Sequence, residues 1–264
     1  MRTEYETLLV EIPKPHIVVL TMNRPDRRNA FNTQMGLDLR GFFTDLYVDP
    51  EDVRCVVLTG SGAKAFCAGG DLKERDGMTT EQWAAQHAVF EQMTLAMMDC
   101  SVPIIAAVNG AAFGGGCELA LGADFIYAAE SARFAQTETR LGIMPGAGGT
   151  QQLPRAVGVR RAKELVLTAE PFTAQEALEW GMANRVCEDD SLMDEALEAA
   201  LKIAGNGPIA VRQAKKSVAM ATQLDLKTGY AYEIEAYNRM VSTEDRMEGV
   251  RAFNEKRKPY FKGR

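Results

Sequence analysis

The stretch Asn109-Gly110-Ala111-Ala112-Phe113-Gly114-Gly115-Gly116-Cys117-Glu118-Leu119-Ala120 decides how this chain is read. It follows the apolar run Ile104–Val108 and leads through small residues into a helical segment bearing one carboxylate, Glu118. Glycines directly before a helix let a ligand approach the backbone amides. A phosphate cradle is one use of such a turn. However, the Gly-Lys-Ser/Thr of a P-loop is missing, and the glycines do not follow G-x-G-x-x-G with a later acidic ribose ligand. An oxyanion hole is the better functional reading, with amides aimed at a carbonyl oxygen that gains charge during reaction.

A second acid lies twenty residues on, Glu138, in Phe134-Ala135-Gln136-Thr137-Glu138. Both acids stand among small or apolar neighbours, where a surface carboxylate would have polar company. A carboxylate kept from water has its neutral form favoured, so its pKa rises toward working pH and it can give and take protons. Two such groups converging on one substrate form a general acid–base pair. The plainer alternative is a pair of structural carboxylates that cap helices or pair with Arg140 and Arg155. The chain has two histidines, His16 and His87, and neither stands near a convincing nucleophile.

Two further runs frame these acids. Phe66-Cys67-Ala68-Gly69-Gly70-Asp71-Leu72-Lys73 reads either as a tight turn or as a loop that brings backbone to a ligand. Leu141-Gly142-Ile143-Met144-Pro145-Gly146-Ala147-Gly148-Gly149-Thr150 either walls off the site or serves as a flexible connection.

Working outward, strands are expected at Leu8–Ile12, Ile17–Met22, Cys55–Thr59, Ile104–Val108 and Phe125–Ala129. Helices are expected at Thr33–Leu46 and Thr80–Met98, the latter capped by Thr79 or Thr80. Strands alternating with helices give an α/β fold with right-handed crossovers. After Gly205 the character changes. Gly205-Asn206-Gly207-Pro208 breaks the pattern, and Pro208–Ala221, Leu226–Met240 and Thr243–Lys256 read as successive helices. The expected division is residues 1–204 as core and 205–264 as a helical segment. Tyr230, Ile234, Tyr237 and Met240 form an apolar stripe that packs either within the chain or on a neighbouring subunit.

The 264 residues are 46% hydrophobic and 25% charged, an ordinary globular balance with length for a real core. A net charge of −6 argues against broad binding to nucleic acid or anionic membranes. Cys55, Cys67, Cys100, Cys117 and Cys187 are odd in number and lack a C-x-x-C pair, so they read as buried free thiols of a reducing compartment. No His/Cys cluster has ligand spacing, so no metal is expected. Leu8–Met22 is interrupted by Glu11, Pro13, Lys14 and Pro15, so no signal peptide is read. No apolar run reaches spanning length, and a cytoplasmic protein is expected.

Taken in order, Phe66–Lys73, Asn109–Ala120 and Gln136–Gln152 resemble the crotonase superfamily, specifically its enoyl-CoA hydratases. Asn23-Arg24-Pro25 and Arg28-Asn29-Ala30-Phe31-Asn32 match the N-terminal signature, and Glu244–Gly249 with Ala252-Phe253 match the closing part. The resemblance implies a crotonase-like spiral of ββα units followed by a helical trimerisation segment, assembled as a homo-trimer or homo-hexamer. It implies an acyl-CoA substrate whose carbonyl oxygen meets the amides of Gly70 and Gly115, with coenzyme A as part of the substrate and no separate cofactor. Glu118 matches the residue that activates water, and Glu138 the one that exchanges a proton with the α-carbon. Arg24, Arg28 and Lys73 become candidates for the CoA phosphates, and Ala30 and Ala68 for the adenine. Gly70, Asp71 and Leu72 belong to the same binding loop. Thr137 stands where many members carry proline, which bears on the acyl pocket. Gly70 stands where many hydratases carry alanine, which leaves the amide donor intact.

The implied activity is water addition across the double bond of a trans-2-enoyl-CoA. Isomerases of the superfamily often manage with one carboxylate, so both glutamates together favour hydration. A specialised acyl group (branched, aromatic or heteroatom-bearing) stays open, because its pocket is expected from residues between Arg75 and Thr94 and from later helices. Some members are reported to bind RNA. Here the basic end, Lys256-Arg257-Lys258 with Lys262 and Arg264, is set against an acidic Leu37–Asp52.

Overall fold

A computed structural model describes residues 2–264. Its strands follow the apolar runs. β1 (Leu8–Lys14) pairs antiparallel with β2 (Ile17–Met22), and α1 (Thr33–Val48) then leads to β3 (Cys55–Gly60) and β4 (Ala65–Cys67). The chain continues through α2 (Leu72–Arg75), α3 (Thr80–Asp99), β5 (Ile104–Val108), β6 (Ala111–Phe113) and α4 (Gly115–Leu121). Next come β7 (Phe125–Ala129), β8 (Arg133–Ala135), a 3-10 turn over Glu138–Leu141, α5 (Gly149–Val157) and α6 (Val159–Thr168). β9 (Phe172–Thr173), α7 (Ala174–Glu179), β10 (Arg185–Cys187) and α8 (Leu192–Ala204) complete this part.

Each successive coil gives one strand to each of two sheets. The larger sheet runs β1-β2-β3-β5-β7-β10 and the smaller β4-β6-β8-β9. Neighbours β3, β5 and β7 are parallel, as are β4, β6 and β8, which is the ββα spiral the resemblance implies. Parallel strands covered on both faces become continuous apolar runs. Accordingly every residue of β2, β3 and β5 is buried.

Helix caps set the entry of the long helices. Asn32 accepts from the Met35 amide at the start of α1, and Thr79 with Gln82 forms a capping box on α3. α1 buries Met35, Leu39, Phe42, Phe43 and Leu46 at helical spacing. Burying each such side chain contributes roughly 1.5–3 kcal/mol. All five cysteines are free and buried, as the sequence suggested. Burial pushes the Cys55 and Cys67 thiols up to about 12, so neither supplies a thiolate.

The terminal helices are α9 (Pro208–Met220), α10 (Leu226–Val241) and α11 (Glu244–Asn254). Pro208 opens α9 at the position where its missing N–H costs nothing. Two cations tie this segment to the sheet layer. Lys215 Nζ reaches Asp124 at 2.8 Å and the Val102 carbonyl at 2.9 Å, and Arg54 bonds the carbonyls of Ala204 and Phe261. The stripe on α10 is largely uncovered within the chain: Tyr230, Ile234 and Tyr237 are exposed, Met240 is half-buried, and Ala236 is the helix's buried residue. The basic end is locally neutralised, with Arg257 bonded to Glu248 and Glu255, and Arg264 to Glu244. Among the described residues no helix is long and apolar enough to cross a membrane.

Candidate active site

The site forms where two adjacent coils touch. Residues 28–31 and 68–71 zip together: the Ala68 amide donates to the Arg28 carbonyl, Phe31 N–H to Gly69, and Asp71 N–H to Phe31. In this parallel bridge Phe31 uses the groups on either side of Gly70. The Gly70 amide is therefore turned away from Phe31. Gly69 adopts φ +93, and Gly114 combines φ +53 with ψ −126, backbone that glycine alone takes at low cost. A Cβ on Gly69 would stand 3.3 Å from the Gly115 nitrogen, so the two loops abut. Gly115 opens α4, where an amide has no intrahelical acceptor. Its Cα side is closed by Phe31, whose ring would lie 2.4 Å from a Cβ there.

Asn29 explains the N-terminal signature. It is fully buried, accepts from the Arg24 amide and the Ser61 hydroxyl, and donates to the carbonyls of Ser61 and Ala65. Arg24 is committed to the same support: its guanidinium pairs with Asp71 at 2.9 Å and also bonds the Ala30 carbonyl. Asp71 uses one oxygen on Arg24 and the other to cap α2 through the Lys73 and Glu74 amides. Arg28, Leu72 and Lys73 are exposed along the rim of the Gly70 loop, while Ala30 is buried and Ala68 half-buried beneath it.

Glu118 and Glu138 are both buried, at 4% and 8% exposure, and neither meets the arginines considered for them. Arg140 pairs with Glu170, and Arg155 bonds the Gln151 carbonyl. Glu118 Oε1 accepts from the amides of Ala147 at 2.8 Å and Gly149 at 2.7 Å. The Leu141–Thr150 run is thus a wall that grips one acid. Burial pushes the Glu118 pKa up, while the amides of Gly149, Ala147 and Gly146 and the nearby His87 oppose the rise. Glu138 has no such grip, and its Oε2 is buried without a partner. Burial first, and the charge of Glu118 second, push Glu138 up to about 7.

Glu138 Oε1 and Thr137 Oγ1 lie 3.0 and 3.3 Å from where a Gly114 Cβ would stand, so Glu138 leans over the second glycine turn. A cavity of about 10 Å³ lies against Glu118, lined also by Thr94, Met97 and Gln152, with room for about one water. α3 forms the facing wall. His87 reaches Gly146, Phe90 stacks edge-on with Phe31 at 4.7 Å, and Arg75 lies over Trp83 and Phe90. The contribution of Gln86 was missed from sequence. It is 4% exposed and joins Thr33, Glu74 and Arg75, and a lone glutamine inside a helix carries no periodic signal. Among the described residues no cluster of three His, Cys, Asp or Glu side chains could hold a metal ion.

This two-sheet spiral, with acids and glycine turns collected at the contact of successive coils and helices appended at the end, is the crotonase fold. The chain belongs to the enoyl-CoA hydratase/isomerase family, whose family model matches residues 13–264. It is 42% identical over 246 residues to a short-chain-enoyl-CoA hydratase of Clostridium acetobutylicum, covering 92% of each chain. It is 38% identical to a crotonyl-CoA hydratase of Syntrophomonas wolfei, over 97% of this chain and 98% of that one. The crystal structure of an enoyl-CoA hydratase from Bacillus anthracis superposes with a TM-score of 0.96 at 45% identity, covering 98% of this chain and 100% of that one.

Proposed function

We propose that the protein adds water across the α,β double bond of a trans-2-enoyl-CoA thioester. The observation that carries this reading is the asymmetry of the two buried acids, one gripped by backbone amides and one with an unpartnered oxygen. Burial raises both acids; the amides on Glu118 offset part of its rise, so Glu118 is the base that orients water, while Glu138, without that grip, holds the proton. The Gly70 and Gly115 amides receive the thioester oxygen as it gains charge, and one such donor is typically worth about 3 kcal/mol in the transition state. The water oxygen bonds the β-carbon, Glu138 delivers a proton to the α-carbon, and the proton released by the water restores the pair. Arg28 and Lys73 on the rim meet the CoA phosphates, with Ala30, Ala68 and Leu72 beside them. Beyond the CoA of its substrate this chemistry needs no cofactor.

The test is incubation with but-2-enoyl-CoA, following loss of the conjugated thioester absorbance and the mass of the product. Hydration is expected to yield a 3-hydroxyacyl-CoA heavier by one water. A product of unchanged mass would replace hydration by double-bond isomerisation, and free CoA would replace it by thioester hydrolysis.

The assembly that accompanies this reading is a homo-trimer or a dimer of trimers built on the terminal helices. Its support is the uncovered apolar surface of Leu226, Tyr230, Tyr237 and Phe253, at 90, 60, 61 and 84% exposure. Sedimentation at micromolar concentration is expected to show three or six chains together. A stable monomer would remove this part of the reading.

A further inference from the structure

Arg75 ends α2 directly beside the Gly70 loop. Its guanidinium carbon lies 3.5 Å from where a Gly70 Cβ would stand, with Nη1 at 3.6 Å and Nη2 at 3.8 Å. The group is half-buried, 4.2 Å from the Trp83 ring centroid and 5.5 Å from that of Phe90. Burial lowers its pKa, yet an arginine keeps its charge in a protein.

Glu74 offsets part of that burial through its charge, yet among the described residues no carboxylate lies within ion-pair distance of the guanidinium. Neighbouring Glu74 is occupied: its Oε2 accepts from the Thr33 amide at 2.9 Å and from Gln86 Nε2 at 2.7 Å. Gln86 also donates to the Thr33 hydroxyl, and its Oε1 accepts from Arg75 Nε at 2.8 Å. Only this orientation of the Gln86 amide satisfies all three contacts, since the reverse would set a donor against Arg75 Nε–H. Gln86 therefore aims the guanidinium. One of its five N–H groups is spent on the aim, and the fork of Nη1 and Nη2 is left without a protein acceptor and not sealed from solvent. That fork matches a carboxylate with two parallel bonds.

We infer that Arg75 selects enoyl-CoA thioesters whose acyl group carries a carboxylate a few bonds beyond the thioester, and that its guanidinium fork binds that carboxylate. This rests on the hydratase reading of the same site. The oxyanion amide and the guanidinium then sit on one loop, so the two ends of a short acyl group are read together. The ring faces of Trp83 and Phe90 keep the cation in place when the site is empty. Gln86 acts through Arg75 and is a positioning residue.

The experiment compares pent-2-enedioyl-CoA with pent-2-enoyl-CoA, esters of equal carbon count that differ in the terminal carboxylate. The wild type is expected to show the higher kcat/KM on the acid ester. Arg75→Met, which keeps length and apolar contact with Trp83, is expected to lower the ratio of the two kcat/KM values by about 10²-fold, mainly through KM on the acid ester. Arg75→Lys should recover part of that ratio, because it restores charge without the planar fork. Gln86→Leu should lower the ratio by a smaller factor, since the guanidinium keeps its charge and loses its aim. Calorimetric binding of glutaryl-CoA against pentanoyl-CoA reads the same selection without turnover. If neither enoyl ester is hydrated but glutaryl-CoA still binds more tightly in an Arg75-dependent way, hydration fails and the carboxylate subsite stands. Equal kcat/KM for both esters in the wild type overturns the inference. So does an equal loss on both esters in Arg75→Met, which would assign Arg75 to the CoA portion or to loop support.

Discussion

Glu118→Gln and Glu138→Gln should each lower kcat on an enoyl-CoA by about 10²–10⁴-fold, with a smaller effect on ester binding. Glutamine keeps the size of the side chain and its capacity to accept a hydrogen bond, so the Ala147 and Gly149 amides still find an oxygen at position 118. What is lost is the exchangeable proton. The double variant should be far less than multiplicatively worse, because both acids act on one water. Steady-state kinetics on all three variants checks this. Full hydration by Glu118→Gln beside an inactive Glu138→Gln would make a one-acid reaction such as isomerisation the better account.

The same Glu138 variant has a stability signature of known sign. The folded state holds this proton up to about pH 7, whereas an unfolded glutamate releases it near 4.5. Between those values the folded state binds more protons, so stability falls as pH rises through the window. Glu138→Gln removes that dependence. Its Tm should exceed the wild-type value at pH 8, and the difference should shrink as pH falls from about 7 to about 4.5. A difference that stays constant across this range would show that Glu138 ionises normally.

The second large effect is structural. A Cβ on Gly116 would stand 1.9 Å from the Cys67 carbonyl oxygen and 2.9 Å from the Cys67 Cβ. Both neighbours belong to buried β4, and backbone cannot swing aside as a side chain tip can. Gly116→Ala should therefore cost about 3 kcal/mol or more and lower Tm by roughly 6–12 °C, or leave the protein insoluble. Gly229→Ala is the control. That glycine lies in α10 with nothing closer than 3.9 Å to its Cβ position, and alanine there should be neutral or stabilising by up to about 1 kcal/mol. Thermal melts of the two variants decide the point. A Gly116→Ala protein that melts with the wild type would mean that the α4–β4 approach is looser than described.

Much of this was legible in the sequence because the strands of the larger sheet are covered on both faces. Ile17–Met22 and Ile104–Val108 are unbroken apolar runs for that reason, and the structure returned both with the expected bounds. The smaller sheet was not legible. β4, β6 and β8 are three residues each, Ala-Phe-Cys, Ala-Ala-Phe and Arg-Phe-Ala, too short for any period to show. Glu118 and Glu138 stood out as acids among small residues, and the structure buries both. The grip of the Ala147–Gly149 amides on Glu118 could not be read, since a backbone donor leaves no mark on residue identity. The pairing of Arg24 with Asp71 could not be read either, because a phosphate contact and a carboxylate pair call for the same residue type. Gln86 and the aim of Arg75 depend on three segments meeting, which no single window of sequence contains.

The alternation of strands between two sheets has a kinetic consequence. Every parallel neighbour in the spiral is reached through a crossover, so its contacts join residues far apart along the chain and closure entropy must be met before they form. The Gly70 loop belongs to one coil and the Gly115 turn to the next, and their abutment exists only once both coils are in register. During refolding, helical signal should therefore return early and CoA-ester binding late. Recovery of binding is then a clock for the docking of the coils rather than for the formation of any single element.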